Sequence, residues 1–234
     1  PYENFDKTVL LLNAEAPAAT DGSTEIQDLS DQGNHVTTAH GGAAITTDQY
    51  KFGAASLEVP GGNDGFTVNI TDETAFNFGT GDFTVEFWMR SYEVSSGHYP
   101  TILDAWDSSD DSTVWLLSSG QTGTSTALKY YEGAIGVVGD TFTANDTNPW
   151  FQSGVTPAWF HIALVRASGT VKIYVNGTAD TTTASSSTDL TGADRLSIGN
   201  RATMSQRGIH AQIDDLRIDK GNAKYTANFT VTDN

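Results

Sequence analysis

Residues able to do chemistry in this chain are mostly carboxylates and aromatics. Asp104 with Asp107, Asp110 and Asp111 forms the densest acidic run. Hard cations such as calcium need several oxygen ligands of this kind. Asp107, Ser109 and Asp111 match the first half of an EF-hand loop, but Ser112 stands where that loop needs Gly and Ser118 where it needs Glu. A solvated, turn-forming loop is the plainer reading of the run. Asp28, Asp31 and Asn34 around Gly33 carry the same ambiguity, and Asp214-Asp215 is a second adjacent pair. His35, His40, His98, His161 and His210 show no zinc spacing. No Gly-x-Ser-x-Gly elbow is present.

Sugars in water are recognised by an aromatic face flanked by amides or carboxylates, the ring giving apolar burial and the polar groups reading hydroxyls. Trp150 with Asn145 and Asn148, in an Asn-Asp-Thr-Asn-Pro-Trp run, has that composition. Trp106, beside the acidic run, and Tyr99 are further carbohydrate-binding candidates. Trp88, Trp115 and Trp159 lie in strand-like patterns and read as core or sheet-face residues. His161, between Phe160 and Ile162, reads as a buried structural histidine.

These residues must be held by strands. Lys and Arg number 12 against 29 Asp and Glu among 234 residues, a formal net charge of −17. That balance excludes nucleic-acid binding by counterion release. No apolar run reaches the roughly 18–20 residues that span a bilayer, so no membrane insertion is expected. With no cysteine, disulfides, thiolate catalysis and Cys-based zinc sites are excluded. The chain opens at Pro1 with no signal-like segment, as a processed or trimmed chain would. Eleven Phe, eight Tyr, five Trp and 23 Gly suit pleated strands and tight turns.

Strand-like runs lie at 8–13, 43–47, 56–59, 66–70, 83–90, 101–106, 113–118, 127–131, 134–138, 159–166, 170–176, 178–183, 195–199 and 209–219. Phe83, Val85, Phe87 and Met89 alternate with Thr84, Glu86, Trp88 and Arg90 in period two. Asn176-Gly177 marks a hairpin. Ile209, Ala211 and Ile213 share one parity and Leu216 and Ile218 the other, so a bulge at Asp214–Asp215 is needed to bring both sets to the core. The expected fold is all-β, a two-sheet antiparallel β-sandwich over residues 1–234 as one domain.

Several runs carry a family resemblance: Thr-Val-Leu-Leu-Leu-Asn at 8–13, Lys-Phe-Gly-Ala-Ala-Ser-Leu at 51–57, and Phe-Gly-Thr-Gly-Asp-Phe-Thr-Val-Glu-Phe-Trp-Met at 78–89. Trp-Phe-His-Ile-Ala-Leu-Val-Arg at 159–166, Lys-Ile-Tyr-Val-Asn-Gly at 172–177 and Ile-Asp-Asp-Leu-Arg-Ile at 213–218 complete it. In this order they resemble the laminin G-like, pentraxin-like modules of the concanavalin A-like jelly-roll superfamily. The tail at 220–230 is similar to the endings of such modules in tailed-phage structural proteins.

The resemblance implies a jelly roll, often with calcium, recognising glycans or a protein partner. It places Asp214, with Asp215 beside it, at a structural calcium position completed by backbone oxygens near 13–15 and 61–62. The alternative is an Asp214 that bonds backbone N–H groups at the bulge. Retaining glycosidases of this fold carry Glu-x-Asp-x-(x)-Glu on one strand, setting two carboxyls about 5–5.5 Å apart. Here Glu25-Ile-Gln-Asp28 and Glu86 lack a second glutamate in phase, position 29 being Leu and position 90 Arg. The expectation is therefore a non-enzymatic module, on a virion surface or otherwise extracellular. It would bind a cell-surface glycan or decorate the particle beside other virion proteins, with calcium as cofactor. The alternatives are a capsid or fibre protein with a protein partner only, which includes a homo-oligomer, and a glycan hydrolase or lyase with an unrecognised carboxylate pair.

Overall fold

The structure is a computed structural model that describes residues 5–31, 35–92, 100–119, 128–133, 142–143, 157–205 and 207–232. Its strands form two stacked layers. The front layer runs β3 (Ala44–Thr46), β4 (Ser56–Gly62), β16 (Gly208–Lys220), β6 (Phe83–Ser91), β11 (Trp159–Ala167), β12 (Thr170–Val175). β1 (Thr8–Leu12) pairs with the second half of β16, while β13 (Thr178–Ala179) and β14 (Ala184–Ser185) edge β12. The back layer runs β2 (Val36–His40), β5 (Gly65–Asn69), β15 (Arg195–Ile198), β7 (Thr101–Asp107), β8 (Ser112–Ser119), β9 (Leu128–Glu132), β10 (Phe142–Thr143). Among the described residues one turn of α-helix, α1 (Glu73–Phe76), interrupts the strands. The architecture is the expected all-β, two-sheet antiparallel sandwich.

The core lies between the layers and is built by the alternation visible in the sequence. Phe83, Val85, Phe87 and Met89 of β6 meet Ile162 and Leu164 of β11 and Val171 and Ile173 of β12, all at most 1% exposed. Inward side chains of the two sheets share one hydrophobic cluster, as aligned sandwich packing requires. The phase break in the last strand is a real bulge. Asp214 pairs with Trp88 and Arg217 with Glu86, so β16 spends one more residue than β6 over this stretch. Asp215 adopts φ 54°, and Ile213, Leu216 and Ile218 are all fully buried.

Two strand expectations need correction. β2 was absent from the sequence pattern because it is an edge strand with no buried residue, and Val36 is 57% exposed. The run at 178–183 pairs only at Thr178 and Ala179 before the chain turns to β14. The expected strand at 134–138 lies outside the described residues.

The outward face of the front sheet is largely sealed. Residues 222–229 cross it, and Tyr225 and Phe229 stack at 3.6 Å over Ala163, Val165 and Tyr174. The Phe229 N–H donates to the Gly177 carbonyl at 2.9 Å, and Tyr174 Oη donates to the Tyr225 carbonyl at 3.2 Å. Thr84 Oγ1 donates to the Asn222 carbonyl and accepts from the Lys224 N–H. Beneath this strap lies a buried charged row. Arg217 makes a two-pronged contact with Asp219 at 2.7 and 3.0 Å, the geometry that makes such pairs strong.

Candidate functional site

At the other end of the same face, side chains of four neighbouring strands line up by register. Trp159 of β11 stands opposite Arg90 of β6, Arg90 opposite Gln212 of β16, and Gln212 opposite Glu58 of β4. Directly paired residues share a face, and their neighbours Met89, Ile213 and Leu57 point into the core. Trp159, Arg90 and Glu58 are half-buried, and one row further out Tyr92 is half-buried and His210 exposed. Tyr92 and His210 stack at 4.3 Å with their planes 21° apart.

The polar groups form one continuous chain. Arg90 Nη1 donates to Tyr92 Oη at 2.6 Å and to Gln212 Oε1 at 3.1 Å. Gln212 Nε2 donates to Tyr92 Oη at 3.1 Å and to Glu58 Oε1 at 3.2 Å. A guanidinium on one side and a carboxylate on the other fix the Gln212 amide in this orientation. The Arg90 guanidinium carbon sits 4.9 Å from the Tyr92 ring centre, which adds a cation–π contact. The result is a pre-set platform of stacked rings edged by a donor and an acceptor, the composition a sugar site needs.

Between platform and strap, the 51–57 turn folds over Trp88. Lys51 Nζ lies 4.0 Å from the Trp88 ring and Phe52 meets it edge-on at 5.7 Å. Asp214 holds this turn, its Oδ2 accepting the Lys51 and Phe52 N–H groups at 2.9 and 3.0 Å. Burial, with the Asp215 carboxylate beside it, pushes Asp214 up to about 6 against the pull of those amides. Glu15 grips the same turn by accepting the Ala54 and Ala55 N–H groups.

Calcium fits these groups poorly. Asp214 Oδ2 already faces two N–H donors, and among the described residues no three acidic or imidazole side chains converge. The geometry at Asp214 is that of a backbone-bonding carboxylate. Asp107 Oδ1 likewise accepts from Ser109 N, Ser109 Oγ and Asp110 N, which makes it a turn-former. Asp111 sits at φ 52° in the same turn.

Of the carbohydrate candidates, Trp150, Asn145, Asn148 and Tyr99 lie outside the described residues. Trp106 is packed within β7 and 8% exposed. Sequence reasoning missed Arg90, Tyr92, Gln212, His210 and Glu58, although the outward parity of Arg90 in β6 was legible.

Glu86 offers no exposed catalytic carboxyl. It is 6% exposed beneath the strap, where Tyr225 Oη donates to it at 2.6 Å, Lys224 bonds it and His161 Nε2 lies 3.4 Å away. Burial alone would raise it; the His161, Lys224 and Tyr225 contacts outweigh that and hold it at about 2.

Residues 60–221 match the Laminin_G_3 model of the concanavalin A-like lectin/glucanases superfamily. The chain belongs to this family. No curated protein matches its sequence. Among solved structures this family member resembles the binding domain of Paraclostridial Mosquitocidal Protein 1, at TM-score 0.64 and 16% identity over 98% of the chain. It also resembles the binding domain of botulinum neurotoxin DC, solved in complex with SialylT (TM-score 0.64, 17% identity) and with rat synaptotagmin II (TM-score 0.65, 18% identity), each over 98% of the chain. The chain spans about half of each of these domains, 50% in all three cases. At such identity the likeness is one of fold. Among the described residues no helix is long and apolar enough to cross a membrane.

Proposed function

We propose that this Laminin_G_3 module is a non-enzymatic glycan-binding domain displayed outside the cell or on a virion surface. The observation that carries this is the platform of Tyr92, His210, Arg90, Gln212 and Glu58, which, among the described residues, lies beyond the strap and the 51–57 turn that close the rest of the sheet face. The exposed His210 ring of the stacked pair provides apolar burial for sugar C–H groups, and the guanidinium and carboxylate, held by the Gln212 amide, read hydroxyls. Neighbours of this fold solved with SialylT and with a protein receptor support a surface-binding role. The virion placement is supported by the phage-like ending at 220–230. A non-enzymatic role is supported by Glu86, the in-strand carboxylate, being closed off beneath the strap.

A glycan array tests this reading, run with calcium and again with chelator. Specific signal that disappears in Tyr92→Ala establishes the platform as the site; a blank array on intact protein rejects it. A second reading, a structural module with a protein partner only, is favoured by one feature. β2 is the last strand of the back sheet, bridged on its outer side at Val36 by Gln27 among the described residues, and the rest of such an edge accepts a strand from another chain.

A further inference from the structure

Among the described residues the platform has donors with no protein acceptor. Tyr92 Oη accepts two N–H groups, from Arg90 and Gln212, so its own hydrogen must point to a further acceptor. Arg90 spends Nη1 on Tyr92 and Gln212, and no described residue accepts from its Nε or Nη2. By contrast Gln212 is fully engaged, with both amide hydrogens and its oxygen in use. At the far end of the row, Glu58 Oε1 accepts from Gln212, which leaves Oε2 as a free acceptor among the described residues. The row therefore runs from unfilled donors at Arg90 and Tyr92 to an unfilled acceptor at Glu58. Tyr92 Oη and Glu58 Oε1 both bond Gln212 Nε2, at 3.1 and 3.2 Å, so donor and acceptor stand about 6 Å apart or less, within reach of the substituents of one sugar ring.

We propose that this face recognises an acidic glycan, seating a hexuronic-acid carboxylate on Arg90 and Tyr92 while Glu58 accepts ring hydroxyls. The planar guanidinium edge matches a carboxylate in two-point geometry, and the Tyr92 hydroxyl supplies a further donor at the same place. In a chain of net charge −17, an anionic polymer is repelled by most of the surface. Binding must then be concentrated where an open cation stands, and Arg90 is such a cation, with exposed His210 stacked beside its Tyr92 partner. Apolar contact with the exposed His210 ring, whose other face is stacked on Tyr92, fixes the sugar's orientation so that carboxylate and hydroxyls reach the two ends of the row. The proposal rests on the glycan-binding reading above.

Calorimetric titration with a hexuronic-acid tetrasaccharide tests it, alongside the methyl-esterified tetrasaccharide, a neutral tetrasaccharide and a sulfated neutral one. The expected result is binding of the uronate form, weakened at least about tenfold by esterification and by Arg90→Gln, and partly restored by Arg90→Lys. Each variant's melting temperature is read in parallel, so lost binding in a folded protein is attributable to the seat. Neutral sugar bound as tightly as uronate, lost in Tyr92→Ala but untouched by Arg90→Gln, overturns the proposal and leaves the glycan reading standing. Preference for the sulfated sugar overturns the carboxylate in favour of a sulfate ester. No binding to any of the four, with a blank array, removes both.

Discussion

Tyr225 Oη donates to Glu86 Oε2 at 2.6 Å across 139 residues of sequence, so the end of the described chain is bonded to the middle of the front sheet. This contact, with Lys224 on the other carboxylate oxygen, decides which part of the sheet face is open. Among the described residues it closes the half around Glu86 and His161 and does not reach the half around Arg90 and Tyr92.

The pH dependence of folding follows from that carboxyl. Glu86 is lowered from 4.5 to about 2 in the folded state. Its contribution to stability is therefore fully present above pH 4.5 and lost as pH falls toward 2, about 3 kcal/mol in all. Urea unfolding at a series of pH values should show this loss in the native chain, and Glu86→Gln should flatten it over the same interval.

Asp214 has the opposite sign. Raised from 3.8 to about 6, it favours the folded state fully below pH 3.8, and that contribution is lost as pH rises through 6, to the extent of about 3 kcal/mol. Asp214→Asn should remove this slope while keeping an acceptor for the Lys51 and Phe52 amides. Asp214→Ala should cost about 1–3 kcal/mol, equally in calcium and in chelator. A loss confined to calcium buffer would instead place an ion at Asp214, and thermal melts in both buffers distinguish the two.

Gly177 sits at φ +77°, and a Cβ there would lie 2.0 Å from the Phe229 carbonyl oxygen. Gly177→Ala should therefore lift the strap at Phe229 as well as strain the hairpin, costing about 1–3 kcal/mol. Hydrogen exchange at the Phe229 amide, bonded to the Gly177 carbonyl at 2.9 Å, should accelerate in the variant. Unchanged protection there would mean that the strap is held by its side chains alone.

Tyr92→Ala should abolish glycan binding in a still-folded protein, at a cost of about 1–3 kcal/mol because buried Gln212 loses an acceptor. Array signal and melting temperature, measured on the same preparation, check both halves. Retained binding would move the site off the platform.

The strand alternation, the Asn176-Gly177 hairpin and the bulge at Asp214–Asp215 were all legible in the sequence, because each is set by local periodicity or by a backbone conformation that few residues adopt. Period-two patterning also gave the outward parity of Glu86, Trp88 and Arg90. It could not say which of them would be covered. That depended on residues 222–229 crossing the sheet from 139 positions away and on the 51–57 turn being held by Asp214, 162 residues distant from Phe52. The platform was hidden for the same reason. Glu58, Arg90 and Gln212 sit on three strands far apart in sequence, and only sheet register brings them into one row. Sequence alone thus determined the fold class and the face each side chain takes, since both follow from neighbours one or two residues away. Tertiary structure decided which part of that face stays open, because cover and register come from contacts between distant segments that no local pattern encodes.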